Sequence, residues 1–254
     1  MLIYSYVKLW KKNFIETFGK FCKILKKKKV NNIVPFKIMI QDTYFLRKEV
    51  SNSDLTSLKN ELSSKDIDGN IEKHYRFGNL LDIVITEPNR VNFYKHTIDD
   101  EKFDKRDFKK AEKMKNAVLK DDYFRDFIRN TSDTEFQKIF IKRREFNYLG
   151  IPFELDCRCK FDVIKQKIKI GLDLKSTICK TQKEFEASIR YFDYDRQGAW
   201  YMDLAEIDYF VIIGISKENF KVFKAFIKRD SEMYRSGLEK YSYLAFKYNL
   251  IYGV

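Results

Sequence analysis

Four acidic side chains and two lysines fall at spacings that would gather them on one face of a β-hairpin: Glu154, Asp156, Lys160 and Asp162 on one segment, Asp173 and Lys175 on the next. Asp173 and Lys175 stand two apart, so on a strand both point to the same side, while Asp162 comes from the neighbouring strand. Carboxylates converging from two strands make an oxygen-rich pocket suited to Mg²⁺, which takes one or two carboxylates and completes its shell with water and substrate phosphate oxygens. A lysine beside such an ion orients the attacking water and helps deprotonate it, and ion and ammonium together neutralise the charge that grows on a phosphodiester during hydrolysis. A D-x-K triplet alone carries little weight. With 21 Asp and 37 Lys in 254 residues about three arise by chance, and others stand at residues 100–102 and 107–109. A solvated charged sheet face is the plain alternative. Three things set the Asp173 triplet apart: Asp162 eleven residues earlier, alternation on both segments, and an apolar lead-in over residues 168–172.

Positioning these groups requires strands. Residues 153–162 alternate, with Phe153, Leu155, Cys157, Cys159 and Phe161 on one side and Glu154, Asp156, Arg158, Lys160 and Asp162 on the other. Residues 167–175 repeat the pattern, so two half-buried strands are expected, joined as an antiparallel hairpin through residues 163–166. Further strands are expected over 135–143, 207–215 and 220–228. Helical spacing marks a short helix after Ser53, read as an N-cap ahead of Leu55, Leu58 and Leu62, then residues 78–87 ended by Pro88, 107–120, 181–204, and a last helix from 231. The order gives an α/β domain with a mixed central sheet flanked by helices and a helical N-terminal half.

Hydrophobic residues make up 44% and aromatics 16%, against 9 Gly and 3 Pro, which excludes a disordered or low-complexity chain. No apolar run approaches the length that spans a bilayer. No secretory leader opens the chain, and the cysteines (Cys22, Cys157, Cys159, Cys179) are scattered but for one C-x-C, so a cytoplasmic location is expected. Nine of the first 30 residues are Lys against one Glu, within a total net charge of +13. Their apolar residues recur at helical spacing, so residues 1–45 read as a basic amphipathic extension that lies on a polyanion, on an acidic bilayer or on its own domain. Residues 46–254 read as one domain, helical over 46–130 and catalytic over 131–254.

The stretch 153–175, FELDCRCKFDVIKQKIKIGLDLK, followed by Ser176 and Thr177, resembles the D…D-L-K-[ST]-T block of the PD-(D/E)xK nuclease superfamily, and within it phage and prophage exonucleases of the exodeoxyribonuclease VIII type. Three more landmarks keep that order. Residues 50–55, VSNSDL, resemble the family's opening I-S-x-S-x-L helix; 77–88, FGNLLDIVITEP, its G-x-x-x-H-x-x-x-x-x-P helix; and 194–201, YDRQGAWY, the Q-x-x-x-Y helix shared with RecB-type nucleases. The resemblance implies a restriction-endonuclease-like core and a Mg²⁺-dependent exonuclease, with Mn²⁺ as substitute, that resects linear double-stranded DNA in phage-type recombination. It implies Asp162 and Asp173 as metal ligands, Lys175 as the catalytic lysine, and Glu154 as a further acidic ligand with Asp156 as rival. Gln197 and Tyr201, four apart on one helix face, would stand close to the active site and the DNA. It also implies a homo-oligomeric ring of three or four subunits and a single-strand annealing protein as partner.

The chain departs from the pattern at Asp82, where the family has histidine. Asp82 sits in the apolar run LLDIVI, so an unpaired charge there would cost several kcal/mol. Either a metal or a nearby Lys or Arg would meet it; the ligand role is preferred. Arg190, Arg196, Lys160 and Lys180 are candidates for phosphate contact. His74 reads as incidental, the C-x-C as core, and the absence of cysteine after Cys179 argues against the iron–sulfur cluster of some RecB-type nucleases. The aromatic residues Phe185, Tyr191, Phe192, Tyr194, Trp200 and Tyr201 read as core rather than as a base-stacking platform. Two other functions stay open: a catalytically silent DNA-binding or assembly protein, and a site-specific endonuclease.

Overall fold

Apolar alternation, and in β7 a continuous apolar run, produce five strands in the second half of the chain: β4 Glu135–Tyr148, β5 Ile151–Lys165, β6 Ile170–Thr177, β7 Tyr209–Ser216 and β8 Val222–Lys228. They form one sheet in that order, with β6 and β7 parallel and every other neighbour antiparallel. The computed structural model describes residues 43–63, 71–99, 101–129 and 131–253. The basic helix expected over residues 1–30 lies outside them, as does nearly all of the extension 1–45. Ahead of the sheet come α1 (Asn52–Leu62) and α2 (Ile71–Thr86), a meander of two-residue strands, β1 (Val91–Asn92), β2 (Thr97–Ile98) and β3 (Glu101–Lys102), then α3 (Lys105–Lys120) and α4 (Asp122–Arg129). After β6 follow α5 (Gln182–Tyr191) and α6 (Tyr194–Ala205), and α7 (Glu232–Tyr252) closes the chain.

Each face of the sheet carries its own core. Leu55 of α1, Phe185 and Ile189 of α5, Trp200 and Met202 of α6 and Tyr241 of α7 bury Phe161, Phe210 and Ile212. On the other face Leu80 and Val84 of α2, Phe108 and Met114 of α3 and Phe124 of α4 bury Leu172, Leu174, Val211 and Ile213. Helices on both sides of a mixed sheet are the architecture expected from the element order.

Several local expectations shift, each for a visible reason. Ser51, not Ser53, caps α1: its hydroxyl accepts from the Asp54 amide (3.3 Å) while Asp54 Oδ2 accepts from the Ser51 amide (2.7 Å), a reciprocal capping box. The hairpin turn falls at 166–169 rather than 163–166, because Val163 and Ile164 are apolar and keep pairing. The helix expected over 181–204 breaks in two where Asp193 takes a left-handed conformation (φ 54°, ψ 37°), which aspartate tolerates better than most residues. Its carboxylate is held by Lys59, by Lys240 Nζ at 3.0 Å and by Arg196 at 3.7 Å.

Two irregularities in the sheet matter for function. The β5–β6 ladder holds for three pairs, Val163 with Leu172, Ile164 with Gly171 and Lys165 with Ile170, and then the strands part. Further along, the freed edge of β5 is met by Val50, whose amide donates to Asp156 O and whose carbonyl accepts from the Arg158 amide, both at 2.8 Å. Secondly, the alternation of β5 changes phase at Asp162. Leu155, Cys157, Cys159 and Phe161 line the first core, yet Val163 lies in the second and Ile164 in the first. Across from this point Gln137 of β4 has φ 51° and is skipped by the ladder, which pairs Phe136 with Val163 and Lys138 with Phe161. Gly171 fits the same distortion: a Cβ there would come within 2.3 Å of the Phe161 ring.

Candidate active site

The gap where β5 and β6 separate is lined by the residues at which the ladder fails. Asp162 Oδ2 accepts the Leu174 amide at 2.7 Å, so a side chain substitutes for the missing strand partner. Its Oδ1 accepts from Gln137 Nε2 at 3.3 Å, and the same amide donates to Thr86 Oγ1 at 3.0 Å. Asp173, only 4% exposed, points toward α6, where Gln197 Nε2 donates to its Oδ1 at 2.6 Å. Lys175 follows on the same side of β6, with Nζ 2.5 Å from Asp173 Oδ2. That contact occupies Oδ2, for which no other hydrogen-bond partner is present among the described residues. Nζ also lies 5.3 Å from the centre of the Tyr194 ring.

The charges inside this gap are in conflict. Burial pushes the Asp162 carboxyl up to about 7, with Asp173 adding to the rise and Lys175 and the Leu174 amide opposing it. Asp82, reaching in from α2, is driven well above the usual carboxylate range by burial first and by Asp162 second, with Lys175 and Lys160 pulling the other way. Burial alone would lower Lys175, yet Asp173, Tyr194 and Asp162 together push it up, so its ammonium keeps the proton. Three acidic groups thus share a region that Lys175 and Lys160 only partly neutralise.

The residues read from the sequence divide into those brought together and those dispersed. Asp82, Asp162, Asp173, Lys175, Gln197 and Tyr201 converge; the Tyr201 hydroxyl is buried within electrostatic reach of Asp173 and Asp162. Lys160 acts on Asp162 and Asp82 and sits 5.4 Å from the Tyr44 ring. Glu154 does not join them. It stands eight residues up β5 from Asp162, about 26 Å at the rise of an extended strand, and is exposed with Arg143 at 2.6 Å. Asp156 pairs with the same arginine at 3.5 Å. Arg196 is 1% exposed and bonded to Asn52 Oδ1 (2.9 Å) and Thr56 Oγ1 (2.5 Å), a brace between α6 and α1 that no phosphate can reach. Arg158, placed by alternation on the solvated face, is buried against the Arg47 and Glu49 carbonyls and 3.3 Å from Asp54. Arg190 is exposed, with Glu232 at 3.0 Å, and Lys180 and His74 are exposed. Cys157 and Cys159 are core, and burial pushes the Cys157 thiol up to about 12.

Sequence reasoning missed Gln137, Thr86 and Tyr194 as neighbours of the cluster. Gln137 carried one signal, a polar residue within the strand expected over 135–143. The aromatic stripe is also divided: Phe185, Trp200 and Tyr201 are core, while Tyr191 and Phe192 face solvent.

Whether this donor set suits a metal is decided by its chemistry. Among the described residues no three or more His, Cys, Asp or Glu are gathered tightly enough to enclose an ion. An all-protein cage, as built for structural zinc or high-affinity calcium, is therefore a poor fit. Two adjacent buried carboxylates, one of them with an oxygen held by the Lys175 ammonium, do suit a hard cation that keeps most of its water and takes phosphate oxygens from a substrate.

A five-stranded mixed sheet that opens between two aspartates, with a lysine two residues after the second, defines a restriction-endonuclease-like domain of the PDDEXK class. Residues 48–251 match the family described as a PDDEXK-like domain of unknown function (DUF3799), and the chain belongs to that family. Enzymes of this class generally work with divalent metals. No curated protein matches the chain. Among solved structures, a phage related exonuclease from Haemophilus somnus 129PT is 13% identical with a TM-score of 0.41, over 78% of this chain and 82% of its own. The protein SSO0001 is 12% identical with a TM-score of 0.34, over 76% of this chain and 84% of its own. Among the described residues no helix is long and apolar enough to cross a membrane.

Proposed function

We propose that the protein is a Mg²⁺-dependent deoxyribonuclease that hydrolyses phosphodiester bonds, acting as an exonuclease on linear double-stranded DNA in phage-type recombination. The observation that supports it most is the meeting of Asp162, Asp173 and Lys175 at the gap between β5 and β6, with Asp173 Oδ2 buried against the Lys175 ammonium. Asp162 and Asp173 would hold the ion, with Asp82 presenting a third carboxylate from α2. Bound Mg²⁺, or Mn²⁺ in its place, supplies a Lewis acid that lowers the pKa of water and offsets charge on phosphate. Gln197 fixes Asp173 through Oδ1 and leaves Oδ2 facing the gap. Lys175, kept charged, holds the attacking water and neutralises the phosphate oxygens as negative charge develops. Asp162 and Asp173 are buried, so these interactions act in a lower dielectric than water. Lys160 and Arg190 would meet phosphates on either side. The preference for ends, the annealing partner and the ring of three or four subunits rest on the motif resemblance.

Purified protein with Mg²⁺ should release nucleotides from linear DNA and leave covalently closed circles intact. Asp173→Ala and Lys175→Ala should abolish release without changing the circular dichroism spectrum. Equal degradation by wild type and both variants refutes the assignment. Cleavage of closed circles would make the enzyme an endonuclease, and salt-sensitive DNA binding without hydrolysis would make it a silent binding protein.

A further inference from the structure

At the corner between α5 and α6 two aromatic residues face outward in succession: Tyr191 is 78% exposed and Phe192 is 56% exposed. Their rings meet edge to face at 4.8 Å, and Phe192 lies nearly parallel to Tyr194, 27° between planes, at 5.6 Å. Tyr194 in turn is the ring beside Lys175 Nζ. An aromatic surface therefore runs without interruption from open solvent to the lysine of the cluster. Across the gap, Tyr75 of α2 is 57% exposed and close enough for its phenol to act on that of Tyr194.

The corner is rigid by construction. Left-handed Asp193 turns the chain between the two helices, and Lys59, Lys240 and Arg196 hold its carboxylate from α1, α7 and α6. Phe192 closes α5, its amide donating to Ser188 O at 3.0 Å. The turn thus directs both side chains outward, where they forgo the burial that normally rewards large apolar side chains.

We propose that Tyr191 and Phe192, backed by Tyr194, form a stacking platform for unpaired nucleobases of the strand being cut, so that the substrate engaged is single-stranded or a frayed duplex end. Bases in a duplex already cover one another's faces, and only an unpaired base gains from an aromatic ring. Such stacking tolerates any sequence, as a degradative nuclease requires. Arg190, one residue earlier, pairs with Glu232 on the open surface, and an exposed pair of that kind exchanges readily for a phosphate. The platform deepens the nuclease reading and rests on it for the position of the scissile phosphate.

The test uses the full chain with Ca²⁺ in place of Mg²⁺ and a short single strand carrying 2-aminopurine near its end, beside the same sequence as a blunt duplex. Wild type should quench the 2-aminopurine fluorescence. The doubly substituted Tyr191→Ala, Phe192→Ala protein should lose the quench and bind the single strand about 5- to 150-fold more weakly. Its blunt-duplex affinity should fall by less than its single-strand affinity, since only frayed ends offer a bare base, and Tyr191→Trp should bind as wild type does. Both residues are exposed, so unchanged thermal melting will separate lost stacking from lost folding. Equal single-strand affinity and quench in wild type and the double variant overturns the platform. So does a change in sedimentation on substitution with DNA binding intact, which would assign the rings to an interface between copies of the chain. Stacking without cleavage under Mg²⁺ sinks the nuclease reading alone; cleavage with unaltered single-strand binding sinks the platform alone.

Discussion

Replacing Gln197 with leucine tests the positioning of Asp173 more sharply than removing any carboxylate. The substitution keeps comparable bulk on α6 and deletes the amide that donates to Asp173 Oδ1 at 2.6 Å. A buried hydrogen bond to a charged acceptor contributes about 1.5–3 kcal/mol. Without it the Asp173 carboxylate can turn both oxygens onto Lys175, which already lies 2.5 Å from Oδ2, and becomes a poorer partner for an incoming cation. Groups that orient a metal ligand typically change metal affinity by about 10- to 100-fold, in line with that energy. The Mg²⁺ concentration giving half-maximal cleavage should therefore rise by about 10- to 100-fold, while the rate at saturating Mg²⁺ recovers to within a few-fold of wild type. Initial rates on end-labelled linear DNA, measured over a wide Mg²⁺ range, supply both quantities. Superimposable Mg²⁺ profiles for variant and wild type refute the positioning role. A variant dead at every Mg²⁺ concentration refutes it differently, by giving Gln197 a direct part in the chemistry.

Two further predictions concern the scaffold that holds α6 in place. Gly237 of α7 lies so close to α6 that a Cβ would approach Asp195 O to 2.1 Å and the Ala199 side chain to 2.9 Å, so Gly237→Ala should cost about 1–3 kcal/mol and lower the melting temperature by several degrees; an unshifted melt would contradict this close approach. Asp203 of α6 accepts from Tyr234 (2.7 Å), Tyr241 and Arg229 (2.9 Å), and although burial opposes it these bonds hold its carboxyl below the usual range. A depressed folded-state pKa adds stability above the unfolded value near 3.8, and that contribution is lost as pH falls through the folded value. Asp203→Asn should accordingly destabilise by about 3–5 kcal/mol at neutral pH, leaving Arg144 and Arg229 short of a partner. Urea unfolding should show the gap to wild type shrinking in acid, and a gap independent of pH would refute the account.

What the sequence discloses here is local. Alternation identified β5 and β6, and a spacing of two put Asp173 and Lys175 on one side, because those relations depend only on strand geometry. A spacing of four likewise set Gln197 and Tyr201 on one helix face. Glu154 shares a segment with Asp162, and eight residues of extended strand already separate them by about 26 Å, so its distance was legible, while the full fifteen-residue length of β5 was not. Nor was the phase change at Asp162, which comes from the left-handed Gln137 on another strand and from the absence of a β6 partner. Arg158 and Arg196 illustrate a second limit. Alternation placed Arg158 on the solvated face and residue type suggested phosphate contact for Arg196, and burial by Tyr44 and α1, more than a hundred positions away in sequence, decided otherwise. Asp193 shows a third, since a helical pattern was broken by one residue whose conformation is fixed through distant lysines.

Only three rungs of hydrogen bonding lie between the turn at 166–169 and the pair Asp162 and Asp173. Ile168 in that turn is exposed, and many side chains would be accommodated there at little cost. An added residue should be tolerated as well. β6 is anchored by eight parallel pairs to β7 and β5 by its long ladder to β4, so the sheet and not the turn fixes Asp173 opposite Asp162. A single-codon insertion at the tip should therefore lengthen the turn and spare the chemistry.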